Sequence, residues 1–184
     1  MNRQPPAPFL SQAIPTADGV FVATYSGRGL AGLSFPRVRP GPGAAGSRPA
    51  AAPLAGPPRL WHARTVQAVN AVLAGQDPPP LPPLDLTRGT PFQQGVWAAL
   101  RKIARGRAVN YGDVAAQVGR PKAARAVGRA CGANPVPLLV PCHRVVAATG
   151  GLGGFSAGLE WKRILLERES ATTASRSAPK AKTA

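Results

Sequence analysis

The sequence predicts an α+β protein: a small N-terminal antiparallel sheet with one helix, followed by a mainly helical C-terminal domain containing a (winged) helix-turn-helix. Three observations predict it. Residues 18–35 carry two β-rich apolar runs separated by a Gly-rich turn. Thr90-Pro91-Phe92-Gln93 has the form of a helix-opening capping box and is followed by an apolar stripe at helical spacing. Further along, two short helical segments are joined by a tight Gly-Arg-Pro turn. Strands first and helices afterwards is the order of an α+β chain rather than of alternating β-α units.

Taken in order, residues 1–17 are rich in proline and read as a flexible N-terminus. The N-terminal domain is expected over 18–89. Val20 to Tyr25 and Leu30 to Phe35 form a hairpin. Residues 36–58 are crowded with Pro, Gly, Ala and Arg, lack apolar periodicity, and read as a disordered loop. Val66, Val69 and Leu73 fall at helix spacing, so a helix is expected from Leu60 to Ala74, closed by Gly75. The prolines of 78–83 stop it, and Leu84-Asp85-Leu86 is expected to add a last strand to the sheet.

The second domain is expected over 90–169. Phe92, Val96, Trp97, Leu100 and Ile103 make its first apolar stripe. After the basic loop Arg105-Gly106-Arg107, a short helix runs from Tyr111 to Val118, and a second from Lys122 to Gly132 carries Lys122, Arg125 and Arg129. Such a pair fits a helix-turn-helix, although basic helix pairs are also common as solvated faces. Asn134-Pro135 ends the second helix. Leu138 to Val140 reads as a buried strand, Gly150 to Ser156 as a Gly-rich loop, and Leu159 to Glu169 as the final helix. Residues 170–184 read as a disordered basic tail.

The formal charge of +16 comes from 23 Lys and Arg against 7 Asp and Glu, and residues 90–169 alone hold 12 basic and 4 acidic groups. A field of that sign favours polyanions, nucleic acid first. No run approaches the ~20 apolar residues of a membrane span, and prolines occupy the place of an export signal, so a cytoplasmic location is expected. With two cysteines, Cys131 and Cys142, and two histidines, His62 and His143, neither a disulfide framework nor a four-ligand zinc site is expected, and no metal or cofactor is called for.

The chemistry concentrates at Cys142. An apolar run halted by Pro141 delivers it beside His143, before the Gly-rich loop. A thiol with a pKa of about 8.5 is mostly protonated at neutral pH, so an efficient nucleophile needs a base or a positive field, and His143 and Arg144 could supply them. The residues alone leave open a plain alternative, in which Cys142 is a small buried hydrophobe and His143 a hydrogen-bonded core residue.

Several motifs in a row carry a resemblance. Asn110-Tyr111-Gly112-Asp113-Val114-Ala115, the run Arg120 to Gly128 (RPKAARAVG), the run Asn134 to Val145 (NPVPLLVPCHRV) and the LLERE ending at Glu169 resemble the O6-alkylguanine-DNA alkyltransferase family, from Thr90 to Glu169 and without gaps. The N-terminal part is similar only loosely. The resemblance implies direct, irreversible, single-turnover transfer of an alkyl group, chiefly methyl, from O6 of guanine to Cys142, and leaves open whether O4 of thymine also serves as donor. It implies a monomer bound to double-stranded DNA through the minor groove with the damaged base flipped out.

Its division of labour falls on Cys142, His143, Glu169 and Tyr111 for the chemistry. Cys142 would be activated through a water by His143, which Glu169 orients, while Tyr111 would rotate the phosphate and protonate the guanine as it leaves. Lys122, Ala123, Ala124, Arg125 and Arg129, with Tyr111, would face DNA, and Arg125 would fill the gap left by the flipped base. Val145, Ser156, Phe155 and Asn134 would form or brace the base pocket, and Arg144 would tie the site together by ion pairs. Phe155 stands where many relatives have Tyr, which bears on bulky alkyl groups. The N-terminal zinc ligands of some animal members and the Cys-rich domain of the adaptive-response regulators are missing. Two other readings share the helix-turn-helix: a non-catalytic recognition protein, which would lack the acceptor cysteine that is intact here, and a transcription regulator, whose binding would follow sequence rather than lesion.

Overall fold

The computed structural model describes residues 9–36 and 54–177, with side chains described as far as Ser170. Three strands, β1 (Leu10–Thr16), β2 (Gly19–Ser26) and β3 (Gly29–Ser34), form an antiparallel sheet in that order. The hairpin expected from residues 18–35 is therefore present. β1 is an addition, since the flexible stretch expected over 1–17 contributes an edge strand from Leu10 onward. The reason is local: Ile14 points into the core with no exposed surface, and Pro15 is tolerated because β1 has only one neighbour. Residues 1–8, and 37–53 of the expected loop, lie outside the described residues.

α1 (Pro57–Leu73) starts three residues before the expected Leu60, because Pro57 and Pro58 suit a first helical turn. It lays Thr65, Ala68, Val69, Val72 and Leu73 on the sheet. Leu84 makes one parallel bridge to Leu30 rather than a strand. Leu30 instead exchanges 2.8 Å backbone bonds with Pro83 and Asp85, and the buried Asp85 carboxylate takes Ser26 Oγ at 2.6 Å and Thr87 Oγ1 at 2.6 Å.

The remaining elements are α2 (Pro91–Leu100), β4 (Val109–Asn110), α3 (Tyr111–Gln117), α4 (Ala124–Gly132), a 3-10 turn (Cys142–Arg144), β5 (Val145–Val146) and α5 (Leu159–Ser177). The capping box at Thr90 is present on both sides, with Gln93 N donating to Thr90 Oγ1 and Thr90 N to Gln93 Oε1. α3 has a second box that the sequence reading did not register, between Asn110 and Asp113. α4 begins at Ala124, not Lys122: Arg120 to Ala123 close a turn through a 2.8 Å backbone bond, and Ala123 offers no capping side chain. Leu138 to Val140 is buried as expected but is not a strand. Leu138 takes φ 78°, and Val140 N folds back to Val136 O at 2.9 Å. β4 and β5 pair in parallel over two residues. α5 continues eight residues past the expected end at Glu169, through part of the tail expected to be disordered; Ser170 Oγ bonds back to Leu166 O at 2.9 Å and no Pro or Gly interrupts it.

One continuous core runs through both halves. Three ties hold them together close to the motif residues. Leu33 N of β3 donates to Pro135 O at 2.8 Å. Arg168 of α5 grips Asp18 at 2.8 Å and the carbonyl of Leu73 at 3.0 Å. Phe21 and Phe35 pack on Trp161 with ring centroids 5.7 and 5.0 Å apart.

Candidate active site

Cys142 opens the 3-10 turn and is 3% exposed. It lines a cleft of about 440 Å³ together with Tyr111, Gly128, Cys131, Gly132, Gly154, Phe155 and Ser156. The turn is fixed from below. Asn134 accepts from Val136 N through Oδ1 at 3.1 Å, and its Nδ2 donates to Val140 O at 2.8 Å and to Cys142 Sγ at 3.2 Å. Asn134 thus bonds to both sides of the turn and also touches the sulfur.

His143 follows on the same turn with no exposed surface. Its Nε2 lies 2.9 Å from Glu169 Oε1. Burial would raise the Glu169 carboxyl, but hydrogen bonds from His143 and Arg144 outweigh it and hold the pKa at about 2. An ionised carboxylate only accepts, so Nε2 carries the proton and the lone pair of the neutral ring sits on Nδ1. Burial also keeps His143 below its usual pKa, against the pull of Glu169. Nδ1 is buried and has no hydrogen-bond partner among the described residues. The arrangement presents a neutral imidazole with its accepting nitrogen unused.

Arg144 completes the cluster. Its Nε lies 3.1 Å from both oxygens of Glu169, its Nη2 lies 2.8 Å from Oε1, and its Nη1 donates to Ile103 O at 2.6 Å. The backbone of Gly106 adds a bond to Glu169 Oε2 at 3.2 Å. Arg144 is tied up in ion pairing, in line with the sequence expectation, and Glu169 is the acid that reaches His143, ahead of Glu160 and Glu167.

Burial raises the Cys142 thiol above its ordinary pKa, while the Asn134 hydrogen bond and the charge of Lys162 pull it down. Lys162 was not singled out from the sequence. It is fully buried, and its Nζ donates to Val145 O at 2.5 Å and to Gly154 O at 3.2 Å. The available signal was its position at i, i+3, i+7 with Leu165 and Glu169, which places a lysine on the inward face of α5. Cys131 was also missed as a cleft residue; burial pushes its thiol up to about 12.

Tyr111 begins α3 and packs its ring against α4 and the Gly-rich loop. A Cβ on Gly153 would sit 2.6 Å from its hydroxyl oxygen, so only glycine, here at φ 68°, allows this approach. Burial raises the phenol's pKa, against a backbone hydrogen bond from Gly154, so it remains a proton donor at neutral pH. Phe155 is half-buried beside the cleft, its ring 6.5 Å from that of His143, and Ser156 is exposed at the rim.

The expected DNA-facing residues lie at the start of α3 (Tyr111), in the turn before α4 (Lys122, Ala123) and on α4 (Ala124, Arg125, Arg129). Lys122, Arg125 and Arg129 are exposed, and Ala123 and Ala124 are half-buried where the turn enters α4. The inner face of α4 is anchored through Ala130 O, which accepts from Trp97 Nε1 at 2.8 Å. The helix therefore joins the basic surface to the cleft through Gly128 and Cys131. Among the described residues, no group of three or more His, Cys, Asp or Glu could hold a metal ion, and no helix is long and apolar enough to cross a membrane.

Known proteins resemble this arrangement. Residues 91–171 match the family described as 6-O-methylguanine DNA methyltransferase, DNA binding domain. Over 83 residues the chain is 55% identical to the methylated-DNA–protein-cysteine methyltransferase of Salmonella typhimurium, a stretch covering 45% of this chain and 48% of that protein. The match thus spans about half the length of that relative. Against the protein of the same name from Mycolicibacterium paratuberculosis, identity is 47% over 112 residues, covering 61% of this chain and 67% of that one. The crystal structure of Mycobacterium tuberculosis OGT in complex with DNA superposes with a TM-score of 0.70 at 38% identity, covering 88% of this chain and 92% of the other.

Proposed function

The chain belongs to the 6-O-methylguanine DNA methyltransferase family, and from that premise we propose that it repairs alkylated DNA by moving an alkyl group, chiefly methyl, from guanine O6 to Sγ of Cys142. One observation carries the reading. Cys142 lines an open cleft while the adjacent His143 is locked by Glu169 into the tautomer whose free nitrogen can take a proton.

The chemistry follows from these groups. A water between Sγ and Nδ1 passes the thiol proton to His143, and Glu169 stabilises the imidazolium that forms. The amide of Asn134 and the ammonium of Lys162 favour the sulfur's negative charge. The new S–C bond forms as the C–O6 bond breaks and its electron pair stays with guanine, which takes a proton from Tyr111 and departs neutral. The exocyclic amine of guanine finds acceptors in the carbonyls of Cys142 and Val145. Each already accepts one bond, from Val145 N and Lys162 Nζ respectively, so the base uses the second lone pair. The Ser156 amide donates to O6. The product is a thioether without a good leaving group, and no regenerating nucleophile or cofactor enters the scheme, so each molecule acts once. O4-alkylthymine falls within the same chemistry.

α3 and α4 act as the (winged) helix-turn-helix of a DNA-binding and acceptor domain over 90–169, behind an N-terminal domain over 18–89. α4 enters the minor groove, where Ala124, Ala126 and Gly128 keep it slim, and Arg125 occupies the space of the flipped base. Lys122 and Arg129 meet phosphates, and Ala123 lies against the backbone at the helix entry. The protein works as a monomer in the cytoplasm, and on the nucleoid where the cell is bacterial. The presence of Cys142 weighs against a recognition protein without activity.

The test uses purified protein and duplex DNA carrying radiolabelled O6-methylguanine. Label reaching a plateau near one methyl per molecule, and absent in Cys142→Ala, is expected. Lesion-selective binding without transfer would move the reading to a non-catalytic recognition protein.

A further inference from the structure

The pocket wall next to Cys142 is not self-supporting. Phe155 sits in a segment with glycines at positive φ on both sides, Gly153 at 68° and Gly158 at 96°. Among the described residues its backbone is held by few bonds: Gly158 N to Phe155 O at 3.0 Å, Lys162 Nζ to Gly154 O at 3.2 Å, and the bond from the Gly154 backbone to the Tyr111 hydroxyl. A phenylalanine ring has no hydroxyl through which to be tethered. What fixes its orientation is packing, and of the two rings that meet it among the described residues, Phe35 is nearer, at a centroid distance of 5.6 Å and an interplanar angle of 87°, with His143 at 6.5 Å.

Phe35 belongs to the other half of the molecule. It follows directly on β3, whose Leu33 is bonded to Pro135, and it rests on Phe21 at 5.0 Å and on Trp161 at 5.0 Å. Phe21 is fully buried and Trp161 nearly so. An aromatic chain thus runs from the buried sheet through Phe35 to Phe155, whose ring meets that of His143 at 6.5 Å and 84°. Edge-to-face contacts of this kind set orientation as well as area.

We propose that Phe35 is a positioning and specificity-determining residue for alkyl transfer, holding Phe155 as the wall against which a large transferred group lies. The proposal rests on the function proposed above and gives the N-terminal sheet a part in it. A methyl group needs little of that wall. A benzyl group fills the cleft and depends on it, so the two substrates separate bracing from general stability.

The experiment compares transfer rates from one duplex carrying either O6-methylguanine or O6-benzylguanine, for the full chain, Phe35→Leu, Phe35→Tyr and Val69→Ala. Val69 is buried on α1 in the same half of the molecule. Phe35→Leu is expected to lower the benzyl rate relative to the methyl rate by about tenfold, the scale of a lost apolar pocket contact. Phe35→Tyr keeps the ring and restores the ratio, and Val69→Ala leaves it at the wild-type value. A wild-type ratio in Phe35→Leu, a raised ratio, or the same change in Val69→Ala would overturn the proposal. Hydrogen exchange of the amides over 153–157 gives a readout that needs no reaction: it is faster in Phe35→Leu alone. Unchanged exchange there sinks the bracing even if the chain proves to transfer nothing, and absent transfer in the wild type sinks the proposed function separately.

Discussion

Replacing Glu169 by glutamine removes one charge and almost no volume. In the wild type the carboxylate takes His143 Nε2 at 2.9 Å, Arg144 Nη2 at 2.8 Å, Arg144 Nε at 3.1 Å and Gly106 N at 3.2 Å. Glutamine can still accept from His143, but Arg144, a residue 8% exposed, loses its counter-charge. Leaving one member of a buried pair alone costs about 3–5 kcal/mol, a large share of a typical stability of about 5–15 kcal/mol. For a chain of this size it lowers Tm by roughly 10 °C. Thermal unfolding followed across pH checks the cause. The carboxyl is held at about 2, below its ordinary 4.5, so its contribution is complete above pH 4.5 and drains away as pH falls toward 2. The gap between wild type and Glu169→Gln is therefore expected to be widest at neutral pH and to close on acidification. Methyl transfer, measured well below both transitions, is expected to slow by about a hundredfold or more, the lower range for loss of assisted proton transfer. A stability gap that stays constant down to pH 3 would refute the charge argument. An unchanged rate in folded Glu169→Gln would refute the relay and leave Glu169 as a strut.

Two further predictions bear on the same cleft. Lys162→Met removes the buried ammonium that, with the Asn134 hydrogen bond, lowers the Cys142 thiol against burial; alkylation of Cys142 by iodoacetamide is expected to shift to higher pH, with less thiolate and a slower reaction at neutral pH. A merely structural lysine would lower Tm and leave that pH profile in place. Gly153→Ala puts a methyl 2.6 Å from the Tyr111 hydroxyl oxygen at a positive φ; transfer is expected to fall about a hundredfold through displacement of Tyr111, while salt-dependent binding to undamaged duplex stays at the wild-type level. Equal losses of binding and transfer would place the damage in α4 instead.

What could be read from the sequence follows a physical division. The hairpin, the helix over Val66 to Leu73 and the box at Thr90 are local: periodicity and capping residues dictate them, and the structure has them. Cys142 and His143 stood out from the residues themselves, Asn134 and Glu169 only through the resemblance to a known family; in the structure Asn134 reaches Cys142 and Glu169 reaches His143. Features made by contacts between distant segments were not legible. β1 exists because β2 offers it an edge, whereas its own Pro15 argues for loop. Lys162 is buried because carbonyls 17 and 8 residues away converge on it, and lysine is a residue that sequence reasoning places in solvent. Phe35 meets Phe155 across 120 positions of chain. The Leu138 to Val140 run shows the converse error: apolar content correctly gave burial, but the flanking prolines bent it into a turn.

The least expected property of the site is that its nucleophile is disfavoured as a thiolate at rest. Burial raises Cys142, and burial equally lowers His143, so resting sulfur and base are both neutral. A site that works once, as proposed here, gains from this. A standing thiolate in an open cleft would be spent on any electrophile or oxidant that entered, whereas a neutral pair reacts when charge develops on the sulfur and the imidazole together. The means for that moment are already in place: Asn134 Nδ2 lies 3.2 Å from Sγ, and Glu169 lies 2.9 Å from the nitrogen that must tolerate a cationic ring. These dipoles and charges are fixed by the turn, by α5 and by Arg144 before any substrate arrives, so little reorganisation is needed when the bond forms. The fold thus spends its polar burial on the charge-separated state of the reaction, and the resting cysteine stays quiet.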